Sequence, residues 1–430
     1  MEAGGNAAQA AQTEQAEPAG QSSAPTGPRA ALRLIGTRNF GPYFLGNAAS
    51  ASGTWFQNLA AALLIYRLTH SAFLLGVLNF CNFVPVLLLA PWAGSAADRF
   101  DRKRLLFVTQ LASTALSAGL AVLAWQGLAG VWVVIACAAA LGTASAFSAP
   151  ASQALIGELV PRRELASAVG LNSMTYNLAR AVGPTAAGIS VHVLGIAASF
   201  AINAASYLLL VLGLLVVRPA ERRRARRGEA RLRDSLGLVR AQPRLLAFLL
   251  IVTAVGFASD PVNTEAPAFA RAFGVAPQFL DRTTGFIVGA FGGGAVLAAF
   301  LLTGRVAGSR RRMVITLTLL GLGVVGFSLG PWLGAGYVFL AVAGVGYLAS
   351  NTSATSRLQL EVAEHQRGRI MALWSVAFLG LRPAASLIDG AVAGVFGVRT
   401  AGVCLALPVL AVAAAVLVLD RRSAPRFARA

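Results

Sequence analysis

The sequence predicts an all-α polytopic membrane protein, with twelve transmembrane helices arranged as two pseudo-symmetric six-helix halves. Three observations lead there. The 430-residue chain is 56% hydrophobic and 12% charged with mean hydropathy +0.67, more apolar surface than one soluble core could bury. Apolar stretches of about 20 residues, enough to cross a bilayer as a helix, recur with Gly and Ala throughout and are separated by charged loops. The alternating pattern of an outer-membrane barrel strand is not seen.

Splitting the chain on its charged loops gives spans at 40–66, 72–97, 105–125, 131–158, 165–191 and 194–217, then 244–270, 283–305, 312–329, 333–357, 367–390 and 395–419. The expected organisation is a disordered tail over 1–32 and an N-terminal half over 33–217. A basic linker over 218–243 precedes a C-terminal half over 244–420, and a basic tail over 421–430 follows. Residues 1–30 are rich in Ala, Gln, Gly, Pro and Ser and lack an apolar h-region, so they read as a tail rather than a cleaved signal. The linker carries Arg222, Arg223, Arg224, Arg226, Arg227, Arg231 and Arg233, too polar for the bilayer. It serves either as a lipid-headgroup or regulatory contact, or as a tether lying on anionic lipid.

Charge also sets topology. About 30 of the 36 basic residues fall in alternate loops and the two tails, and about four in the other loops. The basic loops and both termini are therefore expected in the cytoplasm, with the chain integral to a plasma (bacterial inner) membrane. A net charge of +19 suits a nucleic-acid binder only when the arginines gather on a soluble face, whereas these sit in short loops between apolar spans. Cys81, Cys137 and Cys404 lie in separate apolar spans, and His70, His192 and His365 are scattered, so neither a disulfide framework nor a metal site is expected. Gly321-Leu-Gly323-Val-Val-Gly326 matches a dinucleotide fingerprint but sits inside an apolar span with no preceding strand, which reads as helix packing. No Ser-His-Asp set or phosphate-binding GKS/GKT motif is visible. The chain reads as no enzyme, with no cofactor.

The halves echo each other. A shift of 202 residues places Leu171 on Leu373, Ser173 on Ser375, Arg180 on Arg382 and Gly188 on Gly390. The arginine match has weight because an arginine is costly inside a membrane, and the fifth and eleventh helices read as repeat partners.

Between the second and third spans lies a charged turn, Gly94-Ser-Ala-Ala-Asp98-Arg99-Phe-Asp101-Arg102-Lys103-Arg104. With the helix count and the central linker, it resembles the major facilitator superfamily over residues 33–420. The resemblance implies a cytoplasmic latch against the other half, carried here by Asp98, Arg99, Arg102 and Arg104, with Gly94 permitting close packing. Asp101 stands where the family usually has a glycine. Arg38-Asn39-Phe40, Asp98-Arg-Phe-Asp-Arg102 and Glu158-Leu-Val-Pro161-Arg162 are similar to the branch containing the enterobactin exporter and the transmembrane secretion effectors. Asn177-Leu-Ala-Arg180-Ala-Val-Gly183-Pro184-Thr-Ala-Ala-Gly188 is similar to the helix-five motif of proton-exchanging exporters, though it lacks the usual opening glycine run. Pro184 removes a helix hydrogen bond while Gly183 and Gly188 admit a neighbouring helix, a packed bend that is structural or functional.

Ionisable residues inside the spans are few: Arg180, Asp260, Glu265, Arg382 and Asp389. Each must face a partner or a watery cavity, and the resembled fold places helices five, seven and eleven beside the central one. Asp260 precedes Pro261 and lies 16 residues, roughly 24 Å of helix, beyond Arg244. It is the leading proton-site candidate, since a carboxylate taken out of water can pick up and release a proton as the cavity opens to each side. It could equally bind a cationic substrate or pair with Arg180 or Arg382. Glu265 and Asp389, nearer the outer helix ends, read as solvated gate or cap residues. Arg180 and Arg382 either hold an anionic group with guanidinium forks or neutralise a nearby acid. Arg382 and Asp389 share a helix face but lie about 10 Å apart along the axis, so a partner on another helix is expected for each.

Taken together, the residues describe a monomeric secondary active transporter. The expected activity is proton-coupled export of a small amphipathic molecule, such as a siderophore or drug, by alternating access. Its partners would be the substrate, protons and the bilayer, with no nucleic acid. A uniporter or importer on the same fold, or a membrane sensor or assembly protein that moves nothing, stays open at this level.

Overall fold

The computed structural model describes residues 33–219, 242–302, 310–362 and 367–423. Twelve helical spans fill them. In the first half these are α1 (Phe40–Thr69), α2 (Ala72–Arg99), α3 (Arg102–Trp125), α4 (Val131–Leu159), α5 (Leu165–Leu194) and α6 (Ile196–Val216). In the second they are α7 (Pro243–Thr264), continued by a short helix at Ala266–Ala272, then α8 (Leu280–Leu302), α9 (Arg310–Leu329) and α10 (Leu333–Leu360). Next comes α11, built from Arg367–Ser375, a π-helical turn at Val376–Gly380 and Arg382–Phe396, and last α12 (Val398–Ser423). There is no strand among the described residues. The tail over 1–32, linker positions 220–241, the tail end over 424–430 and His365 lie outside them.

Ten of the spans are long and apolar enough to cross a bilayer by composition alone. The other two, α1 and α5, have ample length at 30 residues each but are diluted by polar side chains that they direct at each other and at neighbours. Asn47 of α1, for example, donates to Asn172 Oδ1 of α5 at 2.7 Å. Local chemistry starts the helices where the loops end. Ser71 caps α2 by accepting from the Leu74 N–H at 3.3 Å, and Asp101 caps α3 by accepting from the Arg104 N–H at 2.6 Å. The capping role accounts for an aspartate at the position where the family usually has a glycine.

The packing repeats between the halves. In the first, α1 and α3 pack on α6, while α2 and α3 pack on α4. In the second, α7 and α9 pack on α12, while α8 and α9 pack on α10. Two seams join the halves, α5 against α8 and α2 against α11, and both are made by glycine. A Cβ on Gly188 would lie 2.8 Å from Gly285 Cα, and one on Gly76 would lie 2.9 Å from Gly390 Cα. Such backbone contact is how helices associate in lipid, where there is no hydrophobic drive between them. Gly188 and Gly390 are the residues matched by the 202-residue shift, so the internal duplication has a structural counterpart.

The seams gather toward one end of the bundle, the end of the α1–α2 turn. There Arg67, at the end of α1, pairs with Asp281, at the start of α8, across the halves. Exposed Trp125, Trp132 and Trp332 mark the same end, as interfacial tryptophans do. At the opposite end three ties join residues of the same half. Arg102 Nη1 meets Glu158 Oε1 at 2.8 Å, Lys103 Nζ donates to the Val217 carbonyl at 2.7 Å, and Arg244 faces Glu361 at 4.0 Å.

Candidate functional site

Helix α7 and the outer piece of α11 pack side by side, and their facing residues are polar. On α11, Arg382, Ser386 and Asp389 recur at spacings of four and three, which puts them on one face. On α7, Asp260 and Thr264 are one turn apart, and Glu265 sits at the joint before the short helix Ala266–Ala272. Asp260, 3% exposed, accepts from Ser386 Oγ at 2.9 Å and from Thr264 Oγ1 at 3.0 Å. Arg382 lies within electrostatic reach of it.

Glu265 and Asp389 differ. Both are fully buried, and both oxygens of each lack a hydrogen-bond partner among the described residues. Glu265 also lies within electrostatic reach of Asp389 and Asp260. The solvent exposure expected from their helix-end positions is not found in this arrangement. The short helix Ala266–Ala272, which follows Glu265, packs against α8, α12 and α1.

The cluster belongs to the seam as well. Asn79 of α2 donates to Thr264 Oγ1 at 3.2 Å, and the Thr264 hydroxyl in turn donates to Asp260. One turn before Asn79, Gly76 lies against the Ser386 carbonyl. The carboxylates therefore sit where the first half is pressed onto the second.

The two matched arginines reach across the halves in different ways. Arg382 stays beside Asp260 and places its guanidinium 5.1 Å from the ring centroid of Phe83 on α2. Arg180 does not join the carboxylates. It crosses from α5 to lie 4.4 Å from the ring centroid of Tyr347 on α10, with Nη2 buried and unpartnered and no acid paired to it among the described residues. Cation–π contact offsets part of the cost of such a charge. Asn177 is not part of this arrangement, because its amide donates to the Ser173 carbonyl at 2.9 Å on its own helix.

The α5 motif is a packing device. Gly183 lies against Trp55 of α1, a Cβ there falling 2.8 Å from the indole, and Gly188 lies against α8. Pro184 leaves the Arg180 carbonyl without its usual helix donor, and a Cβ on Gly292 of α8 would lie 2.9 Å from that oxygen. The charged turn gives a further correction. A Cβ on Gly94 would meet nothing within 4 Å, so close packing there is not found, and Arg102 pairs within its own half to Glu158. Asp98, Arg99 and Arg104 are exposed.

Several charged residues escaped sequence reasoning. Arg67 and Asp281 fell in loops when spans were cut at charges, yet both belong to helices and join the halves. Arg399 of α12 donates to the carbonyls of Gly330 at 3.0 Å, Ser328 at 3.3 Å and Ala272 at 3.4 Å, and so holds the short helix down. Its signal was a lone arginine at a helix start, which carries no partner information.

Comparison with known proteins agrees with this architecture. A family model described as transmembrane secretion effector matches residues 31–426. The staphyloferrin A transporter of Staphylococcus aureus is 34% identical over 161 residues, 37% of this chain and 41% of that protein. The chain thus spans less than half of that relative in the matched region. The multidrug efflux pump Tap of Mycobacterium tuberculosis is 24% identical over 86% of this chain and 92% of its own. The crystal structure of the nucleoside transporter NupG superposes with a TM-score of 0.69 at 15% identity, covering 91% of this chain and 99% of that one, which shows the fold. Matched along nearly its whole length, the chain belongs to the transmembrane secretion effector family of the major facilitator superfamily of membrane transporters.

Proposed function

We propose that the protein exports a small amphipathic molecule across the plasma membrane in exchange for protons, working as a monomer by alternating access, with its termini and the linker over 218–243 in the cytoplasm. The observation that carries this reading is the pair of buried, unpartnered carboxyl groups, Glu265 and Asp389, beside the α2–α11 seam. As neighbouring anions they would cost several kcal/mol, so the arrangement with this end closed is the one in which they hold protons. Opening this end lets water reach them and load protons from the outer solution; closure buries the protonated pair, and substrate entering the cavity from the other side displaces the protons to that side. Asp260, the proton-site candidate of the sequence, accepts from Ser386 and Thr264 and is assigned to the same proton step, with Thr264 linking it to Asn79 in the other half. Arg180 is assigned to an acidic group of the substrate. Asp98, Arg99, Arg102 and Arg104, on the charged turn between α2 and α3, are assigned to a cytoplasmic latch. Similarity to proteins named as a siderophore-type transporter, staphyloferrin A, and as a multidrug efflux pump supports a small-molecule cargo.

The test is a proteoliposome assay with a pH-sensitive dye inside, an imposed proton gradient, and siderophores and drugs added in turn. Substrate should collapse the gradient in the native protein. In Glu265→Gln/Asp389→Asn the collapse should fall by at least about tenfold while substrate binding persists. Full collapse in that variant removes the two residues from proton movement, and substrate flux with no proton movement in the native protein replaces exchange by uniport.

A further inference from the structure

Two motifs from the sequence, Arg38-Asn39-Phe40 and Glu158-Leu-Val-Pro161-Arg162, have no part in the transport reading. The fold brings them together. At the end of the bundle away from the glycine seams, the segment before α1, the α4–α5 turn and the exit of α6 enclose a pocket of about 470 Å³, within the range of small-ligand sites. Four exposed arginines are among the residues lining it, Arg33, Arg38, Arg163 and Arg218, with one acidic residue, Glu164. The acid meets only Arg163, loosely, at 3.9 Å, and no ion pair to Arg33, Arg38 or Arg218 occurs among the described residues. Glu158, the other nearby acid, is already taken by Arg102.

The frame that presents these arginines is rigid. Leu34, Phe40, Leu159, Val160 and Val217 are buried together in a separate apolar cluster of the first half. The Thr37 hydroxyl donates to the Leu34 carbonyl at 2.8 Å and accepts from the Phe40 N–H at 3.3 Å, which fixes the turn carrying Arg38. Asn39 Oδ1 accepts from the Arg218 backbone N–H at 3.2 Å, which docks the exit of α6 on the same turn. Basic residues that serve only topology need no common frame and no cavity between them. Four arginines around one concavity can offer their forks to an anion with several oxygens and more than one hydrogen-bonding edge.

We infer that this pocket binds a phosphate group, supplied either by the headgroup of an anionic lipid or by a soluble phosphorylated compound. The site is separate from the transport path, so its test does not depend on transport. Full-length protein is placed in nanodiscs of phosphatidylcholine alone, of phosphatidylcholine with phosphatidylglycerol, and of phosphatidylcholine with inorganic phosphate in the buffer. Retained lipid is read by native mass spectrometry, and bound phosphate by phosphorus NMR.

The native protein should hold phosphatidylglycerol, phosphate or both, and whichever arm is positive names the source. Arg38→Gln/Arg218→Gln should weaken that binding by about tenfold or more, since each charge-assisted hydrogen bond lost is worth about 1.4 kcal/mol or above. Arg310→Gln/Arg311→Gln at the start of α9 removes the same charge outside the pocket and should leave it unchanged. Arg38→Lys/Arg218→Lys keeps the charge without the forks and should fall between, which keeps the test usable if the glutamine pair fails to fold. Equal loss in the pocket and α9 variants, or no binding in either arm, overturns the inference.

Discussion

The interiors of the two halves solve the problem of buried polarity in opposite ways. In the first half the deepest polar group is Asn203 of α6, fully buried, which donates to Gln57 Oε1 at 3.3 Å and to Ser117 Oγ at 3.5 Å and accepts from Ser206 Oγ at 3.0 Å. Amides and hydroxyls do not titrate, so this network has the same hydrogen bonds whatever the pH or the state of the transporter. In the second half the equivalent depth holds carboxyl groups, one of them fully hydrogen-bonded and two without partners among the described residues. Their stability depends on how many protons they carry. On the proposed mechanism the difference divides the labour: the first half is a frame, and the α7–α11 pair of the second is the part whose energy changes with protonation.

That division can be broken at the seam. Gly390→Leu puts a side chain into the backbone of α2 and should prevent closure of the end bearing the α1–α2 turn, with transport reduced by more than about tenfold. Spin labels at Thr69 and Gln278, read as a distance distribution, should lose the short-distance population. An unchanged distribution with full transport would show that the glycine contact is not required for closure. Asn203→Ala sharpens the comparison from the other side. It should lower stability by about 1–3 kcal/mol, read as a thermal shift, because it strands buried partners. The proton-to-substrate ratio should stay at the native value, and a changed ratio would place part of the coupling in the frame. The smallest effect is expected from Arg67→Gln. The Arg67 side chain is 44% exposed, so solvent screening limits the loss to about 1 kcal/mol of closed state, visible as a modest shift in the same distance distribution.

Much of this architecture is legible in the sequence because membrane insertion writes hydrophobicity and charge along one dimension. Span positions, the repeat linking Gly188 to Gly390 and Arg180 to Arg382, and five of the charged residues inside spans follow from that record. Lateral packing does not. Glu265 stands near a helix end in sequence, and packing around the joint with the short helix buries it. Asp281 lies two residues before the apolar stretch that marks α8, so a cut at charges discards it. The charged turn was read through one resemblance, but its contacts differ between states of a transporter, and a sequence does not say which state a structure shows.

The π-helical turn at Val376–Gly380 gives α11 two axes instead of one. Thr253 of α7 donates to the Ala377 carbonyl at 3.2 Å, so the irregular turn is held by a neighbour and not left open to the bilayer. Gly390 lies ten residues past Gly380, about 15 Å along the helix, so a swing of about 4° at that joint moves the glycine by roughly 1 Å. The outer piece of α11 is in this sense a lever arm. A small angular adjustment at the joint would become a displacement large enough to separate backbones in contact at its tip, while Arg382, next to the joint, would stay beside Asp260.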